Sequence, residues 1–233
     1  MKTARRNSRR RLNVAVLCSQ RAPGLVQLLN TDTRRGTDYD IVCCITSSDT
    51  FDEEVRVERR GVPCLPHSIR RFCAVRGVDL HDLDARREYD AVTLDLLGPF
   101  NPDLLILLDY RLLLTSPALD AFAGRIISIQ HGDPVHPLAG GSRVTAHVVT
   151  GRPFEGHPVL RSWGITPSKL HDTAAAYSAV LTRTIGLAAD LVDRSRAPLN
   201  LAKAGTWDLD EDGALVTTGT HAAAAVAPGA RRR

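Results

Sequence analysis

The chain has 233 residues, of which 43% are hydrophobic, 24% charged and only 5% aromatic. That is enough apolar material for one sizeable α/β domain with a core of Leu, Val, Ile and Ala, and it excludes a chain too polar to fold. The net charge of +4 sits at the ends: residues 1–11 carry six basic groups and 231–233 carry three, so the rest sets 21 basic residues against 26 acidic ones and argues against a nucleic-acid surface on the domain.

LNVAVLC (12–18) is a short apolar run and reads as a fully buried strand. SQRAPG (19–24) follows it, and LVQLLN then starts a helix with Leu25, Leu28 and Leu29 on one face. YDIVCCIT (39–46) reads as a second buried strand. TFDEEVRVERRG (50–61) reads as a helix, acidic early, basic late and stopped by Gly61. VPCLPH (62–67) reads as a third strand whose two prolines favour a sheet edge. Residues 84–100 are predicted helical, with Tyr89, Val92, Leu96 and Leu97 on one face and Gly98-Pro99 as the stop. PDLLILL (102–108) is a fourth strand. SPALDAF (116–122) is a short helix with Ser116 expected at the cap and Pro117 in the first turn.

GRIISIQ (124–130) is a fifth strand, and RVTAHVVT (143–150) and HPVLRSW (157–163) read as later ones. A long helix is expected over 168–194. Its stripe is Leu170, Ala174, Tyr177, Leu181, Thr184 and Leu191, with Ser168 as a cap. Past Pro198 the sequence is rich in Gly, Ala and Thr without period. The expected organisation is a basic arm (1–11), one domain (12–197) and a disordered low-complexity tail (198–233).

The five cysteines (18, 43, 44, 64 and 73) are odd in number and form no CxxC, so neither a disulfide framework nor a zinc knuckle is expected. No run of about 18 apolar residues occurs, and the apolar run after the basic N-terminus is too short for a signal-peptide core. The expectation is a cytoplasmic protein acting on small molecules, with no membrane partner.

Strands alternating with helices imply right-handed βαβ units and a parallel sheet covered on both faces. Ligands then bind beyond the carboxyl ends of the strands. Three segments leave strands at that edge: 19–24, 109–112 and 130–137. The first has the position of an anion loop, with Arg21 as a charge-assisted donor, yet it carries one Gly (Gly24) and no dinucleotide fingerprint. The third holds His131, Asp133 and His136. With His147 these allow a metal reading, but their spacing matches no ligand signature and no metal is expected. No GxSxG occurs and no Cys lies in a loop beside a His, so a nucleophilic hydrolase is not indicated.

Three segments carry a family resemblance: NVAVLCSQRAPGLVQLLN (13–30), PDLLILLDYRLLLTSPALDAFAGRIISIQHGDP (102–134) and VTAHVVTGRPFEGHPVLRSW (144–163). They resemble the folate-dependent formyltransferase family, which includes glycinamide ribonucleotide formyltransferase and the domain of methionyl-tRNA formyltransferase. The resemblance implies a Rossmann-like, mostly parallel sheet with helices on both faces. It implies transfer of a formyl group from 10-formyltetrahydrofolate, as co-substrate, to an amine such as glycinamide ribonucleotide in purine biosynthesis.

Residue by residue, the resemblance places the family's catalytic Asn at Ser128, its His at Gln130 and its Asp at Glu155. His131, one position late, is the titratable residue nearest the family His. The phosphate loop falls on Ser19, Gln20, Arg21 and Gly24, and folate contacts fall on Arg111 and Leu112. Because all three catalytic positions differ, two expectations stand side by side: a formyltransferase using the remaining donors, or a formyltransferase-like binding or regulatory protein that has lost the reaction.

Overall fold

The computed structural model describes residues 11–132, 143–150, 158–165, 170–194, 206–210, 212 and 214–217. Among these, nine strands form one sheet in the order β3-β2-β1-β4-β5-β6-β7-β8-β9. The strands are β1 (Leu12–Cys18), β2 (Tyr39–Thr46), β3 (Cys64–Pro66), β4 (Leu104–Leu108), β5 (Ile126–His131), β6 (Val144–Val148), β7 (Pro158–Arg161), β8 (Trp207–Leu209) and β9 (Leu215–Thr217). Strands β1 to β5 pair in parallel. β6 is antiparallel to β5 and to β7, β8 is parallel to β7, and β9 turns back antiparallel. The prolines put β3 at the sheet edge, as expected. Residues 207–209 and 215–217, inside the tail expected to be disordered, form β8 and β9, and the Arg161–Asp208 ion pair at 2.8 Å helps hold β8 against β7.

Helices α1 (Leu25–Thr31), α2 (Glu54–Glu58), α3 (Ile69–Arg76), α4 (Leu83–Leu97), α5 (Ser116–Ala121) and α6 (Leu170–Arg194) cover the sheet, with a 3₁₀ turn at 98–100. One face packs Val14, Val16, Leu104, Ile106, Ile127 and Ile129 against α1 and α6. The other packs Ala15, Leu17, Leu105, Leu107 and Ile126 against Leu97 of α4 and against Phe122. Strand alternation sorts these side chains, and burial on both faces explains why β1 and β4 read as unbroken apolar runs.

Several helix boundaries differ from the sequence reading, each for a local reason. α2 is only five residues because its expected first turn is committed elsewhere: Asp52 N–H donates to Gln20 C=O (3.0 Å), and Phe51 enters the core. α3 was not expected, although Ser68 caps it by accepting from Arg71 N–H, and Gly77 ends it at φ 65°. α4 starts one residue early because Asp82 accepts from the N–H groups of Asp84 and Ala85. The N-cap of α5 is Thr115 rather than Ser116, and Pro117 lies in its first turn. The Ser168 cap expected for α6 lies outside the described residues.

The inward side of α6 is Ala176, Tyr177, Val180, Leu181, Thr184, Ile185 and Ala188. Its backbone passes so close to the start of α1 that a Cβ on Gly24 would stand 2.5 Å from Ser178 N and 2.9 Å from the Tyr177 carbonyl carbon. Gly24 also has φ 79°, which L side chains rarely adopt. Gly24→Ala is expected to lose about 2 kcal/mol of unfolding free energy through overpacking and backbone strain, read as a lower urea midpoint at unchanged slope. An unchanged midpoint would show that α1 and α6 separate without cost.

Candidate active site at the β1–β4 switch point

β1 is flanked by β2 on one side and by β4 on the other, so the chain leaves β1 and β4 in opposite directions. A cleft of about 630 Å³ opens beyond their carboxyl ends, lined among others by Ser19, Arg21, Ser47, Asp109, Arg111 and Leu112. This is where a doubly wound sheet binds its ligands.

Ser19 joins the walls of the cleft. Its Oγ accepts from Arg111 N–H at 3.1 Å and lies 3.4 Å from Ser47 Oγ, while its carbonyl accepts from Thr46 Oγ1 at 2.6 Å. The next donors of the expected phosphate loop are engaged within the protein. Gln20 Nε2 donates to Asp52 Oδ1 (3.2 Å), Arg21 Nε to Asp52 Oδ2 (3.1 Å), and Ala22 N–H to Glu53 Oε2 (3.1 Å). Gly24 faces α6, as described above.

The segment after β4 is held from below by α4. Asp90 has no exposed surface, and its Oδ2 accepts from both Thr115 N–H and Thr115 Oγ1, each at 2.6 Å. Arg86, also buried, donates to Leu113 C=O at 2.6 Å and lies 3.8 Å from Asp90 Oδ1. Tyr110 lies close to Tyr89 and Arg86, and His67 stacks on Tyr89 at 4.1 Å. Burial pushes the Asp90 carboxyl up from its ordinary value, opposed by the Thr115 bonds and the Arg86 charge. Arg111 is presented on the surface of this clamped loop. Leu112 lines the cleft and also packs on the cluster of Ile69, Phe72 and Tyr89.

Asp109 lies in a segment the sequence places at this edge, but nothing in the sequence singles it out. It follows β4 directly, has φ 49°, and its N–H is tied to Ile129 C=O at 3.0 Å. Burial raises its pKa, while the charges of Arg111, Arg21 and His131 pull it back. A non-glycine residue in the left-handed region is uncommon, and such strain clusters at functional sites. Ser47, Ser48 and Thr50 after β2 also line the cleft. The edge rule that singled out three segments applies equally to the exit of β2 and would have found them.

The register of β5 decides how its polar residues are placed. Ser128 pairs with His147 and Gln130 with Thr145, so these four share the α4 face of the sheet. Ser128 and His147 are both buried; Gln130 is half-buried. The strand continues regularly through His131, which pairs with Val144 on the α6 face. His131 is exposed and lies within electrostatic reach of Asp109. The structure thus brings Ser128 and Gln130 together and puts His131 across the sheet from them. Glu155, Asp133 and His136 lie outside the described residues. Among the described residues no group of three or more His, Cys, Asp or Glu is placed to hold a metal ion, and no helix is long and apolar enough to cross a membrane.

A family model for formyl transferases matches residues 12–134, more than half of the chain, and the protein belongs to this family. Solved structures share its fold. Glycinamide ribonucleotide transformylase 1 of Symbiobacterium toebii is 21% identical, with 77% of this chain and 88% of that one covered at a TM-score of 0.62. The phosphoribosylglycinamide formyltransferase of Coxiella burnetii is 16% identical (78% and 88% covered, TM-score 0.61). A formyltetrahydrofolate deformylase of Burkholderia mallei is 21% identical (79% and 66%, TM-score 0.59). A search of curated proteins found no match.

The raised carboxyl of Asp109 has a stability consequence. With its folded pKa above the ordinary 3.8, the folded state holds the proton longer than the unfolded chain. The resulting penalty is absent below about pH 4 and grows as pH rises through the folded pKa. Asp109→Asn is therefore expected to be more stable than the parent at neutral pH, with an advantage that shrinks toward pH 4. Asn also suits φ 49°, but that contribution does not vary with pH. Urea unfolding at pH 7.5 and 4.5 separates the two, and an advantage equal at both pH values would show that the carboxylate suffers no desolvation.

Proposed function

We propose that this chain binds 10-formyltetrahydrofolate in the switch-point cleft and transfers its formyl group to an amine. The observation that carries the reading is the cleft itself, placed by a formyl transferase domain and closed on one side by a loop that Asp90 and Ser19 hold in place. A folate tail ends in carboxylates. Arg111, exposed on that rigid loop, supplies a charge-assisted donor for one of them, and Leu112 supplies apolar surface.

In the reaction the amine lone pair attacks the formyl carbon, and the carbonyl becomes an oxyanion. The bond from that carbon to N10 then breaks. N10 takes up a proton and the amine gives one up. We assign the oxyanion contact to Gln130, half-buried at the end of β5, because Ser128 lies deeper. Gln130 does not titrate, so proton movement falls to His131 with Asp109 near it, or to Glu155. Glycinamide ribonucleotide, and with it a place in purine biosynthesis, is the acceptor that the neighbours' names supply. The β1–α1 loop decides between that nucleotide and an unphosphorylated amine.

One observation favours a second reading. His131 faces away from Ser128 and Gln130, so the fold keeps the ligand cleft while separating the oxyanion donors from the nearest titratable side chain of the strand. Such a protein binds folate without turning it over.

Calorimetry with 10-formyltetrahydrofolate, paired with an amine-formylation assay, distinguishes these. Micromolar binding that weakens about tenfold in Arg111→Ala is expected, a loss of about 1.4 kcal/mol. Formyl transfer is expected to fall at least tenfold in Gln130→Ala and to be lost in His131→Ala. Binding without transfer establishes the second reading; absence of folate binding defeats both.

A further inference from the structure

We infer that the acceptor amine carries no phosphate where it meets the β1–α1 loop, because Asp52 and Glu53 already stand there as the loop's anions. This rests on the formyl-transfer reading. An anion site at such a turn needs free backbone N–H groups and an available cationic side chain. Here the side chains of Gln20 and Arg21 both go to Asp52, and Ala22 N–H goes to Glu53. Pro23 has no N–H to offer.

The contact is reciprocal, since Asp52 N–H returns a bond to Gln20 C=O at 3.0 Å. The backbone that carries the two carboxylates is anchored, since Phe51 before them and Val57 after them are buried in the core that holds α1 and α6. The Arg21–Asp52 bridge is solvent-exposed and would by itself yield to a competing anion. Exclusion comes from Glu53, whose side chain is only 15% exposed, and from the donor missing at Pro23. A phosphate dianion entering this corner meets two carboxylates within hydrogen-bond distance of the donors it requires, a repulsive element of the kind that sets specificity. The same carboxylates accept a hydroxyl or a cationic group.

The experiment titrates the full chain by calorimetry with inorganic phosphate, and with a glycinamide ribonucleoside with and without its 5′-phosphate. The expected result is no saturable phosphate binding up to about 10 mM and affinities for the two ribonucleosides within about twofold. Asp52→Asn/Glu53→Gln is expected to gain phosphate binding and at least a tenfold preference for the phosphorylated form. Tenfold tighter binding of the phosphorylated form by the parent, lost in Arg21→Ala, overturns the inference. So does a folded double variant with no gain. If the double variant does not fold, Glu53→Gln alone must show the gain. Phosphate binding is read without the folate donor, so failure of formyl transfer and failure of this inference are separate results.

Discussion

The cleft depends on a carboxylate that water does not reach. Asp90 sits on the inward side of α4, and both of its bonds to Thr115 run to the far end of the loop that leaves β4. A buried charge costs several kcal/mol unless its lone pairs are used, and removing one partner leaves the other uncompensated. Arg86 stands 3.8 Å from Asp90 Oδ1, which accepts no hydrogen bond among the described residues, and itself binds Leu113 C=O. The price of burying this pair is returned as position: the loop has one place to lie, and Arg111 and Leu112 ride on it. At its near end the loop is held by Asp109 N–H on Ile129 and by Arg111 N–H on Ser19. The cleft wall is therefore pinned to β5, β1 and α4 together, which is how a segment without regular structure becomes a rigid binding surface.

Much of this fold could be read from the sequence because the strands are apolar on both sides and the punctuation is local. LNVAVLC and PDLLILL announce buried strands, and Gly98 and the prolines around β3 mark ends that the structure keeps, whereas α2 stops at Glu58, short of Gly61. What could not be read is what polar residues do inside. Arg86 and Asp90 look like the solvent side of α4 by charge, yet they face inward. The face read from Tyr89, Val92, Leu96 and Leu97 is therefore rotated from the real one, which shares Tyr89 and Leu97 with it and adds Ala85, Arg86, Asp90 and Thr93. Asp52 and Glu53 fit a helical pattern and are instead bound to the loop at Gln20 and Ala22, while Phe51 enters the core. β8 and β9 are three residues each, too short for a periodic signal.

The candidate site was legible as a location more than as a set of roles. The edge rule gave the exits of β1, β4 and β5, and two of the three line the cleft. Gly24 shows the limit of positional reasoning. A glycine at the end of a βα loop suggests close approach of a ligand, whereas the neighbour that forbids a side chain here is the backbone of α6. Asp109 shows the converse. Nothing in its spacing marks it, and only the left-handed backbone and the burial of its carboxyl set it apart.

Strand geometry and charge balance together restrict what the site can do. Pairing with β6 continues through His131, so no bulge at Gln130 brings the imidazole round to the α4 face. His131 therefore stands at the open end of β5 within electrostatic reach of Asp109, and across the sheet from Ser128. Some charges around the cleft are answered from within, Arg21 by Asp52, Asp49 by Arg71, and Asp109 by Arg111, Arg21 and His131, while Arg70 also lines it. At the β1–α1 corner Asp52 and Glu53 already hold the side chain of Arg21 and the N–H of Ala22, and it is there that the inference drawn above gives a doubly charged acceptor little to gain.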